Sequence, residues 1–320
     1  MPTTTKFDLN MGVATREAFG QALVELGRAN PNVVALDADL SKSTMSVYFQ
    51  KEFPERFIEC GIAEANMVGI ASGLASAGKI PFASSFSAFI MTKAFEQMRV
   101  TIAYPNVNVK LVGTHSGISI GEDGPSQMSL EDLALACALP GFTVISPADE
   151  VAMRALVHCA ADHVGPVFLR AGRVKVPVVY SATQTFAIGK SIELISGTDV
   201  TLIAHGLLVA ETIRAAETLQ AAGISARVID MHTIKPLDTD AIAKAARETG
   251  AIVVAEEHLA DGGLGVRVAQ AVAQSQPVPM EFVGLDRYAE SGTPDELLDK
   301  YGMRAVNVVA AAKRVLGRKK

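Results

Sequence analysis

The sequence predicts an α/β protein made of two doubly wound domains. Three observations carry this. Short β-branched runs alternate with helix-period patterns from residue 15 onward. A long polar, glycine-rich loop directly follows one of those runs. A composition break over 176–189, with no long helix, separates a first alternating series from a second. Alternation of this kind implies parallel sheets covered by helices on both faces. A chain of 320 residues fits two domains at about 150 residues each. We place the first at residues 1–180 and the second at 190–320.

Each element has its own signal. Phe19, Leu23 and Leu26 share one helical face, predicting a helix over 15–27 that Asn30-Pro31 stops. Residues 33–36 read as a buried strand, 63–77 as an Ala/Gly-rich helix and 91–104 as another helix. A strand at 108–112 feeds the loop 113–129. Strands at 143–145 and 166–169 flank a helix at 149–161. After the break, strands at 200–204, 225–230 and 251–255 alternate with helices at 207–222, 239–249 and 263–274.

Composition narrows the function. A net charge of −5 points to neither nucleic acid nor an acidic membrane surface as partner. No apolar run approaches the roughly 20 residues that span a bilayer, and the first ten residues lack the apolar region of a secretory signal. Cys60, Cys137 and Cys159 form neither a CxxC pattern nor a disulfide framework, so we read them as buried thiols in a reducing, cytoplasmic setting. The Arg318-Lys319-Lys320 tail reads as a solvated end.

Two segments carry chemistry. In Gly61-Ile62-Ala63-Glu64-Ala65-Asn66-Met67, an acid opens a helix otherwise made of small and apolar residues. The ordinary reading is a first-turn Glu favoured by the helix dipole. That helix is too apolar to have a wet face, however, and a buried carboxylate needs a partner. The loop 113–129 holds His115, Glu122, Asp123 and Gln127 among glycines. It follows a strand, which sets it at the carboxyl edge of the sheet, where open α/β folds bind ligands. Its ordinary reading is a surface connection, but its length and composition favour function.

In this order, G-I-A-E-A-N-M and T-H-S-G-I-S-I-G-E-D-G-P resemble the glutamate motif and the His/Asp loop of transketolases. Ala14-Thr15-Arg16-Glu17 and Ala38-Asp39-Leu40-Ser41-Lys42-Ser43 resemble two further motifs of that family. The likeness continues through Gly165-Pro166 to Arg173. It runs on through Ile234-Lys235-Pro236 and Glu256-Glu257-His258 with Gly262-Gly263-Leu264-Gly265. It therefore covers nearly the whole chain and identifies a pyrimidine-binding domain followed by a transketolase C-terminal domain.

The resemblance implies thiamine diphosphate as cofactor, with Mg²⁺. Glu64 would hydrogen-bond N1′ of the aminopyrimidine and favour the imino tautomer, whose 4′ nitrogen takes the proton from C2. Phe86 and Phe89 would pack on the pyrimidine ring, and Asp39 would lie near the cofactor. A third family aromatic falls at Thr92. Arg16, Ser43 and Arg173 match positions that hold the sugar phosphate, with Arg170 a weaker choice. His115 would lie by the phosphate end and take part in catalysis. Asp123 would meet a substrate hydroxyl. Gln127 stands where many transketolases have His; it can hydrogen-bond a ketose but cannot titrate near neutrality. That leaves room for an unusual branched sugar.

The family holds the diphosphate and metal through a G-D-G motif, and none occurs here. The resemblance therefore implies a partner subunit that supplies G-D-G and Mg²⁺, in an α2β2 assembly. The leading reading is the β subunit of a two-subunit enzyme moving a two-carbon ketol unit between a ketose phosphate and an aldose phosphate. Competing readings are the β subunit of a 2-oxo acid dehydrogenase, a relative of deoxyxylulose-phosphate synthase, and a non-catalytic assembly subunit. Arg16 and Ser43 weigh against the first, and Glu64 against the last.

Overall fold

The computed structural model describes residues 7–319; part of the N-terminal stretch and the last lysine of the basic tail lie outside them. The first half is β1 (Met11–Ala14), α1 (Thr15–Ala29), β2 (Val33–Asp37), α2 (Ser41–Thr44), α3 (Val47–Glu52), β3 (Phe57–Glu59), α4 (Glu64–Ser76) and β4 (Ile80–Phe86). Then come α5 (Ser87–Lys93), α6 (Phe95–Gln97), β5 (Lys110–Thr114), α7 (Asp132–Ala138), β6 (Thr143–Ile145), α8 (Glu150–Asp162), β7 (Val167–Arg170) and β8 (Lys175–Pro177). The second half is β9 (Ile192–Ile195), β10 (Val200–Ala204), α9 (Leu208–Ala221), β11 (Ala226–Asp230), β12 (Thr233–Lys235), α10 (Thr239–Thr249), β13 (Ile252–Leu259), α11 (Leu264–Ser275), β14 (Met280–Leu285), α12 (Pro294–Lys300) and α13 (Ala305–Leu316). The fold is the doubly wound α/β arrangement expected, and no helix among the described residues is long and apolar enough to cross a membrane.

The first sheet has the order β12-β6-β7-β5-β4-β2-β3 and is parallel except at β12. Successive strands run outward from β2 in opposite directions, so the order reverses between β2 and β4. A crevice opens at the carboxyl ends of strands at such a switch point. The second sheet has the order β14-β13-β10-β11-β9, with only β9 antiparallel. Its strands β10 and β11 are buried at every position, as two-sided burial requires.

The structure departs from expectation in several places. No strand was expected over 80–86, where Pro81 and two serines argue against one. Yet β4 is central, with Phe82 fully buried. The helix expected at 91–104 is broken at Ala94 and ends in a π-helical turn, Met98–Ala103. Ile90, Ala94, Met98 and Ile102 are all buried. A spacing of four drifts about 40° per step on an α-helix, and a wider π turn keeps it aligned. Thirdly, β12 comes from the second half of the chain but pairs with β6 of the first sheet. Finally, the three cysteines are free but only partly buried; Cys60 follows the edge strand β3, where one side of the sheet is open.

Candidate active site

Asp37, Phe86, Thr114 and Arg170 end β2, β4, β5 and β7, four neighbouring parallel strands, so their side chains gather at one carboxyl edge. A continuous line of contacts runs along that edge. Glu64 opens α4 and is 3% exposed. Its carboxylate lies 3.4 Å from Lys93 Nζ, the only side chain that bonds it among the described residues. The same ammonium sits 4.1 Å from the centre of the Phe89 ring. Phe89 stacks on Phe86 at 5.5 Å and 19°, and Phe86 stacks on His115 at 3.9 Å and 23°.

His115 sits at φ 58°, a left-handed conformation that its place at the start of the loop imposes. Its Nδ1 is 2.9 Å from Thr114 Oγ1. Burial, together with the nearby cations Arg16 and Arg173, pushes its pKa down to about 3. It is therefore a neutral imidazole at pH 7.

Arg16 and Arg173 form a cationic corner beside it. Arg16 Nη1 donates to the Ser43 carbonyl at 2.6 Å, and its Nε to the Arg173 carbonyl at 3.3 Å. Burial and then the Arg173 charge lower the Arg16 pKa. Arg173 donates to the Ile120 carbonyl and, at 2.9 Å, to the exposed Glu122. Two half-buried guanidiniums that repel each other make a corner suited to an anion.

Other expected residues are placed differently. Asp39 is exposed at φ 63°, and among the described residues only its backbone N–H is engaged, donating to Glu59 at 2.8 Å. The carboxylate at this edge that organises structure is Asp37. It accepts from Leu40 N at 2.6 Å, Thr44 Oγ1 at 2.6 Å and Ser46 Oγ at 2.8 Å, and so folds the turn that carries Ser43. Burial pushes Asp37 up to about 6 against those bonds. Asp123 is exposed and Gln127 half-buried at the far end of the loop, and among the described residues neither side chain is hydrogen-bonded. Thr92 points outward, bonded to the Ala88 carbonyl at 2.6 Å.

Arg170 does not face the crevice as a free cation. It is buried, with Nε 2.7 Å and Nη2 3.2 Å from the carboxylate of Asp132, and Nη2 also donates to the carbonyls of Ser129 and Glu257. A guanidinium so engaged binds the two halves of the chain together. Sequence reasoning missed Lys93, Asp37 and Asp132, because nothing in their local spacing ties them to Glu64, Ser43 or Arg170.

A two-domain α/β protein with a buried helix-opening glutamate, a stacked aromatic wall and a cationic corner at one switch point has the layout of a ligand-binding α/β protein. Comparison makes the class specific. Residues 11–178 match the pyrimidine binding domain of transketolase and residues 189–308 its C-terminal domain. The chain belongs to the transketolase family, whose members depend on thiamine diphosphate. It is 43% identical over 305 residues to a Methanocaldococcus jannaschii protein that bears the name "Putative transketolase C-terminal section", covering 94% of this chain and 95% of that one. It is 40% identical to a 6-deoxy-6-sulfo-D-fructose transketolase subunit of Clostridium sp. strain MSTE9, covering 95% of each. Against mouse transketolase-like protein 2 it is 44% identical, spanning 98% of this chain but only 50% of that protein. A solved structure described as a split gene transketolase, inactive beta4 tetramer, superposes with a TM-score of 0.91 at 48% identity, covering 97% of this chain and all of that one.

Proposed function

We propose that the chain is the β-type half of a two-subunit transketolase, binding the aminopyrimidine end of thiamine diphosphate. The observation that carries this is Glu64: a buried carboxylate with one long contact to an exposed lysine is under-satisfied, and a ring N–H is the partner it lacks. The residues present fit that ring. Phe86 and Phe89 offer a flat apolar wall that also excludes water.

When bound, the cofactor supplies the carbon nucleophile that carries a two-carbon ketol unit between sugars. Glu64 accepts the hydrogen bond from N1′ and, by holding a proton between its oxygen and that nitrogen, sets the tautomer of the ring. Arg16, Arg173 and the Ser43 turn hold the anionic end of the sugar. His115, neutral and anchored through Nδ1, presents Nε2 to substrate hydroxyls as a hydrogen-bonding group and not as a cation. Asp39 borders the cofactor, and Asp123 and Gln127 reach the sugar from the loop. The diphosphate and Mg²⁺ fall to a partner bearing G-D-G, in an α2β2 assembly in the cytoplasm. The description of the solved relative as an inactive β4 tetramer supports the need for a partner. The sulfosugar named for the clostridial relative suggests that the cationic corner accepts a sulfonate as well as a phosphate.

The test is reconstitution with a G-D-G-bearing subunit. Glu64→Gln should abolish turnover of xylulose 5-phosphate while assembly is unchanged, and near-normal activity would sink the reading. Calorimetry on the chain alone should give weak binding of thiamine diphosphate; tight stoichiometric binding would refute the split site. Assaying 6-deoxy-6-sulfofructose beside xylulose 5-phosphate separates the two anions.

A further inference from the structure

The second half of the chain reaches into the candidate active site through one carboxylate. Glu256, Glu257 and His258 lie in tandem on β13. Glu256 serves its own half, capping α11 through the amides of Leu264 at 2.7 Å and Gly265 at 2.8 Å. Glu257 faces the other way. Its Oε1 accepts the backbone N–H of Ser119 at 2.5 Å, inside the loop that begins at His115. Gly117 makes this approach possible: it sits at φ 81°, and a Cβ there would come within 2.1 Å of the Glu257 carboxyl carbon. The strand beneath is clamped, since Arg170 bonds the Glu257 carbonyl at 2.9 Å and Leu259 N–H bonds the Leu130 carbonyl at 2.8 Å.

We infer that Glu257 is a positioning residue: through Ser119 and Gly117 it holds the 115–119 turn, and so keeps the His115 ring stacked on Phe86. This assigns the second half of the chain a part in shaping the site, and as an account of activity it rests on the function proposed above. The physical case is local. The turn runs through two positive-φ residues, His115 and Gly117, and leaves the sheet with few bonds of its own. The Ser116 N–H bonds the Ala171 carbonyl at 3.2 Å and the Gly117 N–H bonds the Ser129 carbonyl at 2.9 Å. The buried bond from the Ser119 N–H to Glu257 lies beyond them and decides where the turn lies.

The test uses the full chain and needs no turnover. Hydrogen exchange should show the 115–121 segment about ten-fold or more faster in Glu257→Ala, with β10, β13 and α11 unchanged. In proton spectra assigned with His115→Gln, the His115 ring resonances should carry the upfield shift of a ring stacked on Phe86, and lose it in Glu257→Ala. Reach matters more than charge, so Glu257→Gln should hold the turn and Glu257→Asp should release it. That pair also keeps the test alive if the alanine variant does not fold. Unchanged exchange and shift would overturn the inference. So would faster exchange throughout both halves, or a Gln variant looser than the Asp variant. In the reconstituted complex, Glu257→Ala should raise KM more than it lowers kcat. Failure of the complex to turn over any sugar would count against the proposed function and leave the exchange result standing.

Discussion

The imidazole of His115 lies face to face on the ring of Phe86, with centroids 3.9 Å apart. Burial, and then the charges of Arg16 and Arg173, keep that ring neutral.

That arrangement predicts a pH dependence. The native pKa of His115 is pushed down to about 3, below the value of the unfolded chain. Between about pH 6.5 and 3 the unfolded state therefore binds the extra proton, so stability is lost as pH falls through this window. This ring alone should make the protein about 2 kcal/mol less stable at pH 5 than at pH 7. His115→Gln should remove that share, read as a smaller difference between urea midpoints at the two pH values. An unchanged difference would show that the ring titrates normally.

Asp37 predicts the opposite slope. Burial holds its native pKa up to about 6, so the native state keeps a proton that the unfolded state loses between about pH 4 and 6. Asp37→Ala strands the Leu40 amide and the hydroxyls of Thr44 and Ser46, and should cost about 2 kcal/mol or more at pH 4. The deficit should shrink by roughly 2–3 kcal/mol as pH rises to 7. A deficit that grows with pH would show that the carboxylate is stabilised, not burdened, by its charge.

The Arg170–Asp132 pair predicts a large asymmetry. Asp132→Asn removes the carboxylate that pairs directly with a buried guanidinium and should cost about 3–5 kcal/mol in denaturant melts. The double change Arg170→Met with Asp132→Leu should cost far less than the sum of the two single changes. Additive costs would mean that the two side chains do not act as a unit.

Arg16 and Arg173 predict a split between binding and chemistry. Each changed to Ala in the reconstituted enzyme should raise KM for a sugar phosphate about ten-fold or more through loss of a charge-assisted bond, with kcat little altered. Arg16→Lys should rescue only in part, because an ammonium cannot hold the Ser43 carbonyl and an anion in one fork. A fall in kcat at constant KM would move Arg16 out of the anion corner.

Much of this was legible in the chain. Helices with a clear apolar stripe, such as 15–27, fall where the structure has them, because one buried face suffices to define a helix. The loop after β5 was legible because position after a strand fixes which sheet edge it occupies. Asp39 shows where reading stops. It carries the resemblance, yet its carboxylate is exposed while Asp37, two residues earlier, is buried in the turn. Strand alternation puts both on the same side only if the strand continues, and here it ends at Asp37. Likewise the resemblance prefers Arg173 to Arg170, but only the buried position of Asp132 shows why Arg170 is taken.

By itself the sequence determined the α/β class, the break between two series and the motifs that place Glu64 and His115, because these depend on local periodicity and short spacing. The tertiary structure alone decided that β12 joins the first sheet, that Lys93 meets Glu64, and that Glu257 from the second half of the chain grips Ser119. Each is a contact between residues far apart in the chain, set by which side chains share a buried volume, and no local pattern encodes that.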